Sequence, residues 1–192
     1  MLTVFSKEYI IMKNTLVLKR SAVTAISIAL CIVLPFAFHM IPQGGKIFLP
    51  MHIPVLLCGL ICGAPYGFLC GLIAPVLSSL LTGMPPAGIL PSMTVELACY
   101  GLIAGIMIHV VKTKKRFFNL YVSLIVAMLA GRILNGLVNA FLFSVGSYSI
   151  KMWLTASFVT SLPGIVIQLA VIPVIVFALE KAKLLPEQHR NS

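Results

Sequence analysis

The sequence predicts an all-α membrane protein of six transmembrane helices with both termini cytoplasmic, on three observations. Of its 192 residues 60% are hydrophobic and only 9% are charged, with a mean hydropathy of +1.09, whereas soluble domains carry roughly 25% charged residues. Apolar runs near the ~20 residues that cross a bilayer core recur along the chain, parted by polar or Gly/Pro-rich breaks. The cations fall on alternate breaks. With six spans, Lys7, Lys13, Lys19, Arg20, Lys112, Lys114, Lys115, Arg116, Lys181, Lys183 and Arg190 share one side and only Lys46 and Lys151 the other, and the richer side is the cytoplasmic one. The net charge of +10 is thus a topology signal and not a nucleic-acid footprint, because the basic residues flank apolar runs instead of interleaving with exposed aromatics.

Residues 1–20 mix Lys7, Lys13, Lys19 and Arg20 with Val4, Phe5, Ile10, Ile11 and Leu16, which suits a cytoplasmic or interfacial helix; Met12 is an alternative start. Residues 21–183 form the six-helix membrane domain. The first span, about Ser21–Ile41, contains Pro35 and stops at Pro42-Gln43-Gly44-Gly45. It is long enough to cross and lacks a small-residue cleavage site, so it stays in the membrane. Met51–Leu81 is too long for one crossing and divides at Gly63-Ala64-Pro65-Tyr66-Gly67 into two. Gly59, Gly63, Gly67 and Gly71 recur every fourth residue there, a spacing that brings helix backbones close. Thr82-Gly83-Met84-Pro85-Pro86-Ala87-Gly88 stacks turn formers into a loop, which suits a lid element. The fourth span is about Pro91–Val111, the fifth about Phe117–Phe143, the sixth about Met152–Leu179. Ser144–Lys151 is a loop, and 184–192 is a cytoplasmic tail. Cys31, Cys58, Cys62, Cys70 and Cys99 all lie in apolar runs and read as small buried hydrophobes. No His stands near them at a metal-site spacing, so neither a metal nor another cofactor is expected.

Gly131–Ala140 is the informative stretch. Arg132, Asn135 and Asn139 fall three and four residues apart, on one face of the fifth span. A charge at mid-membrane costs roughly 2.5–3.5 kcal/mol on insertion scales unless it meets protein, water or a ligand. The topology places Glu96 and, one turn deeper, Tyr100 in the outer half of the fourth span, Gln168 near the middle of the sixth, and His39 and His52 near the outer ends of the first two. The outer half therefore holds Arg132, Asn135, Asn139, Glu96, Tyr100, His52 and Gln168 as candidate binding residues. Alternatives stand beside this: a structural ion pair of Arg132 with Glu96, hydrogen-bond glue from Asn135, Asn139 and Gln168, histidines at the headgroup boundary, and Tyr148 and Trp153 as interfacial anchors. No nucleophile with a base, paired carboxylates or Walker A sequence is present, which argues against an enzyme.

Six spans, cytoplasmic termini, no nucleotide motif and an outer polar site together resemble the substrate-binding S component of an energy-coupling factor (ECF) transporter, over about residues 15–183. Ala25-Ile26-Ser27-Ile28-Ala29 is similar to the family's small-xxx-small motif, and Leu49-Pro50-Met51-His52-Ile53-Pro54-Val55 with Leu81-Thr82-Gly83-Met84-Pro85-Pro86 resembles its vitamin-binding branch. The resemblance implies a subunit of the prokaryotic cell membrane that binds a vitamin. It also implies partnership with a transmembrane coupling subunit, docked on Ala25 and Ala29, and with two cytoplasmic ATPases that hydrolyse ATP. The metal-transporting branch is disfavoured, since its amino-terminal Met-His arrangement is absent. A guanidinium among amides suits an anionic, polar substrate. Pantothenate, with a carboxylate, an amide and two hydroxyls, fits first, and Glu96 and Asn135 would take the hydroxyls. Pyridoxine, hydroxymethylpyrimidine, folate, cobalamin and queuosine follow, for which Tyr100 and Phe141 would stack on a ring. The rival function is a self-sufficient secondary transporter coupled to protons through Glu96 and Arg132.

Overall fold

The computed structural model describes residues 2–38, 41–111, 113, 115–142 and 149–182, with side chains for all of these except 2–11, 13 and 142. His39, Tyr148, Lys112, Lys114 and the tail 184–192 lie outside the described residues, as does most of the 144–151 loop. The elements are α1 (Leu2–Ala37), α2 (Gly44–Phe48), α3 (His52–Cys62), α4 (Ala64–Thr82), α5 (Leu90–Val110), α6 (Arg116–Leu142), α7 (Ile150–Leu154), a π-helical turn (Thr155–Thr160) and α8 (Leu162–Lys181). No strand occurs among the described residues. Among the described residues six stretches are long and apolar enough to cross a membrane: Asn14–Ala37, Gly44–Cys62, Ala64–Thr82, Leu90–Val110, Arg116–Phe141 and Leu162–Lys181.

Several boundaries differ from the sequence expectation, each for a local reason. The basic segment is helical from Leu2 and runs into the first span without a break, no proline standing in the helix before Pro35. The break between spans two and three is the single residue Gly63, at φ 95 and ψ 173, a conformation that a side chain would resist. Ala64–Gly67 instead open α4, with Pro65 in the first turn, where a missing N–H costs nothing. The second span and the stretch expected as the sixth, Met152–Leu179, are not continuous. The second consists of α2 and α3 around Leu49, whose φ of 51 lies in the left-handed region. The sixth is broken at Ser161, because Pro163 lacks the N–H that would tie it to the preceding turn and so starts a new helix.

α5 lies at the centre, packed against α3, α4 and α6, while α1 packs on α3 and α4, and α8 covers α2 and α3. The close approach of α5 to α4 and to α3 depends on glycine. A Cβ on Gly101 would sit 2.1 Å from the Gly67 carbonyl oxygen, and one on Gly59 would sit 2.3 Å from that of Gly101. Leu56, Leu97, Leu124 and Ile172 fill the core around Tyr100, and all five cysteines are buried thiols. The loop after α4 is tied down by hydroxyls from that helix: Ser78 Oγ donates to the Met84 carbonyl at 2.7 Å and Ser79 Oγ to that of Pro85 at 2.8 Å. At one end of the bundle Arg116, opening α6, is paired with Glu180 near the end of α8. That pair puts the α5–α6 junction and the end of the sixth span on the same side.

Candidate functional site

Polar groups inside this bundle must find partners in protein or ligand, since the surrounding lipid has none to offer. Glu96, in the first half of α5, is the centre of one cluster of them. Tyr100, one turn along the same helix, donates its hydroxyl to Glu96 Oε1 at 3.1 Å. From α6, Asn135 Nδ2 donates to Glu96 Oε2 at 2.9 Å, and Asn139 Nδ2 donates to Asn135 Oδ1 at 2.8 Å. From the start of α3, His52 brings Nε2 to 3.7 Å from Glu96 Oε1 and sets its ring edge-on to Tyr100 with centroids 5.2 Å apart. Five of the predicted residues thus form one network across three helices. Gly131 permits it: a Cβ there would lie 2.0 Å from the Tyr100 ring.

Arg132 points elsewhere. It is 3% exposed, and its Nη1 donates to the Ser157 carbonyl and, at 2.8 Å, to Ser161 Oγ, both at the broken end of the sixth span. Phe158 lies under the guanidinium, 5.6 Å from Cζ to the ring centroid, a cation–π contact. The alternative of an Arg132–Glu96 ion pair is therefore not what forms. Glu96 instead meets His52, and its two oxygens are held by the neutral donors of Tyr100 and Asn135.

Other expectations are also corrected. His52 is 2% exposed, so its ring is turned into the bundle. Phe141 is 87% exposed on the outer surface of α6, away from the network, because it falls on the opposite face from Asn135 and Asn139. Trp153 is not simply an anchor: its Nε1 donates to the Arg132 carbonyl at 3.1 Å, and its indole lies where a Cβ on Gly136 would be, 2.5 Å from Nε1. Gln168 is fully buried on α8 but makes no hydrogen bond to the network. Sequence reasoning missed Ser157 and Ser161, whose signal was the helix break announced by Pro163-Gly164.

The chemistry offered is read from what is left over. Among buried side-chain atoms without a hydrogen-bond partner are Nδ1 and Nε2 of His52, Nε and Nη2 of Arg132, and Nε2 and Oε1 of Gln168. A buried polar group without a partner costs about 1–3 kcal/mol, so leaving several inside one small bundle is expensive unless a ligand meets them. Arg132 offers donors, Gln168 both functions, and His52 one of each when neutral. No group of three or more His, Cys, Asp or Glu among the described residues is arranged to hold a metal.

The family described as "ECF transporter, substrate-specific component" matches residues 19–176. No curated protein and no solved structure gives a significant match. A match over most of the chain, on a helical bundle whose described residues include six stretches apolar enough to cross a membrane, carries the assignment. This chain belongs to the substrate-specific component family of ECF transporters, as a multi-pass membrane subunit of a transporter.

Proposed function

We propose that this subunit is the high-affinity binding protein for pantothenate in an ATP-driven uptake transporter. The observation that carries the substrate is the state of Arg132. With Nη1 occupied by Ser157 and Ser161, its two orphaned nitrogens are Nε and Nη2, the side-on edge that takes a carboxylate through two parallel hydrogen bonds. Asn135, Asn139, Gln168 and His52 complete the inventory for an amide and two hydroxyls, with Glu96 and Tyr100 as acceptor and wall. The test is calorimetry on detergent-purified protein with pantothenate and with pantothenol, its neutral alcohol counterpart. Pantothenate is expected to bind at least about a hundredfold more tightly, since each hydrogen bond to a charged group is worth about 1.5–3 kcal/mol. Equal affinities would remove the carboxylate from the argument, and tight binding of pyridoxine, hydroxymethylpyrimidine, folate, cobalamin or queuosine would rename the substrate.

The partners we assign are a transmembrane coupling subunit and two cytoplasmic ATPase subunits. Residues 1–20 and the tail 184–192 then lie on the cytoplasmic side of a prokaryotic cell membrane, flanking the membrane domain 21–183, as the distribution of cations favours. The docking face is the outer side of α1. Ala25 and Ala29 are exposed there, whereas Ser27 between them is buried against the bundle. Small side chains left uncovered by their own fold admit close approach of another helix. Ala25→Trp or Ala29→Trp is expected to prevent co-purification with the coupling subunit while leaving pantothenate affinity within about twofold, because surface changes away from the core shift energies by about 0.5 kcal/mol or less. The buried His52–Glu96 contact is the feature that would serve the rival, proton-coupled mechanism. Uptake into vesicles by this chain alone, driven by a pH gradient without ATPases, would establish that rival instead.

A further inference from the structure

Ser161 is a helix-start residue that does not cap its helix. It precedes α8, where a serine hydroxyl ordinarily accepts from the first backbone N–H groups, yet it makes no such bond. Its Oγ instead donates to the Ser157 carbonyl at 2.6 Å and accepts from Arg132 Nη1 at 2.8 Å. The direction of each bond is fixed by inventory. A carbonyl has no proton to give, so the hydroxyl proton goes to Ser157 and a lone pair is left facing the guanidinium. Nη1 has two protons, and its two acceptors here are the Ser157 carbonyl and Ser161 Oγ.

We propose that Ser161, together with the Ser157 carbonyl, is a specificity-setting positioning residue that locks the Nη1 end of Arg132 and so presents the Nε–Nη2 edge to a ligand carboxylate. The lock uses the break in the sixth span. The π-helical turn Thr155–Thr160 carries Ser157 and Phe158, and the turn at Ser161 brings its hydroxyl back onto the Ser157 carbonyl. π-Helical turns inside helices are frequent at functional sites. Phe158 fixes the plane of the guanidinium from below, and Trp153 stands edge-on to Phe158, centroids 5.8 Å apart, while holding the Arg132 carbonyl. Gly136 makes room for that indole. Without these contacts a long arginine side chain samples many rotamers, and ordering it would oppose binding.

The proposal rests on Arg132 being a ligand-binding residue, and two readouts separate its failure from that of the substrate reading. In protein labelled with ¹⁵N-arginine, the chain has Arg20, Arg116, Arg132 and Arg190, and the Arg132 signals are those lost in Arg132→Gln. Ligand-free protein is expected to show separate, slowly exchanging Nη1 protons for Arg132. Ser161→Ala is expected to collapse them and Ser161→Thr to keep them. In calorimetry, Ser161→Ala is expected to weaken pantothenate about tenfold, or about 1.4 kcal/mol, with pantothenol unchanged and Ser161→Thr near the parent protein. Arg132 signals unaffected by Ser161→Ala would overturn the lock, and equal weakening of acid and alcohol would reduce Ser161 to a structural residue. If the parent protein does not bind pantothenate, the substrate reading falls by itself and the Arg132 signals still decide the lock.

Discussion

Arg132→Gln is expected to abolish pantothenate binding, by at least about a hundredfold, while the purified protein stays monodisperse. Glutamine is shorter, neutral and carries a single NH₂ group, so it can approach the Ser157 carbonyl but cannot also offer two parallel donors to a carboxylate. Two charge-assisted hydrogen bonds at about 1.5–3 kcal/mol each set the scale. The fold is expected to survive because Arg132 is not paired with the one acid of the network: Glu96 keeps Tyr100, Asn135 and His52 whether or not the guanidinium is present. Arg132→Lys is expected to fail almost as badly, since an ammonium keeps the charge but lacks the planar edge. Calorimetry on the two variants checks this, and affinity within threefold of the parent in either would take Arg132 out of the site.

The second large effect concerns the backbone contact at the centre of the bundle. Gly101→Ala is expected to destabilise the protein strongly, because the added methyl would lie 2.1 Å from the Gly67 carbonyl oxygen and 2.3 Å from its carbon. Neither atom belongs to a side chain that can turn away, so α4 and α5 must separate. Overpacking of side chains costs about 1–3 kcal/mol, and separation of two backbones also opens the packing around Leu97 and Tyr100. At about 2–4 °C per kcal/mol for a chain of this size, thermal melting in detergent should fall by several degrees or more. Gly88→Ala is the matched control, since a Cβ there meets nothing within 4 Å. Equal melting temperatures for the two variants would contradict the packing described.

Much of the framework was legible because it depends on composition along the chain. Six apolar stretches must span, and their breaks fall where glycine, proline and charge accumulate. The network at Glu96 was legible in part for the same reason. Asn135 and Asn139 share a helix face with each other, Glu96 shares one with Tyr100, and the rarity of polar residues in lipid left few other partners for them. The boundaries of the sixth span were not read, although Pro163-Gly164 signalled them, because the apolar run continues on both sides of the break. The choice of partner for Arg132 was not readable at all: Glu96 and the Ser157–Ser161 turn were both compatible with its depth.

Local apolarity and helical period alone are enough for the membrane class, the number of apolar stretches and the polar residues within them that share a helix face. It takes the packed bundle to show that Glu96 meets His52, Tyr100 and Asn135, and that Arg132 turns to Ser157 and Ser161 with its Nε–Nη2 edge left over. Those pairings are set by how closely helices approach and how they are rotated about their axes. That, in turn, depends on contacts such as Gly101 on Gly67 and Gly131 on Tyr100, between residues far apart in the chain, which no periodicity within one segment can encode.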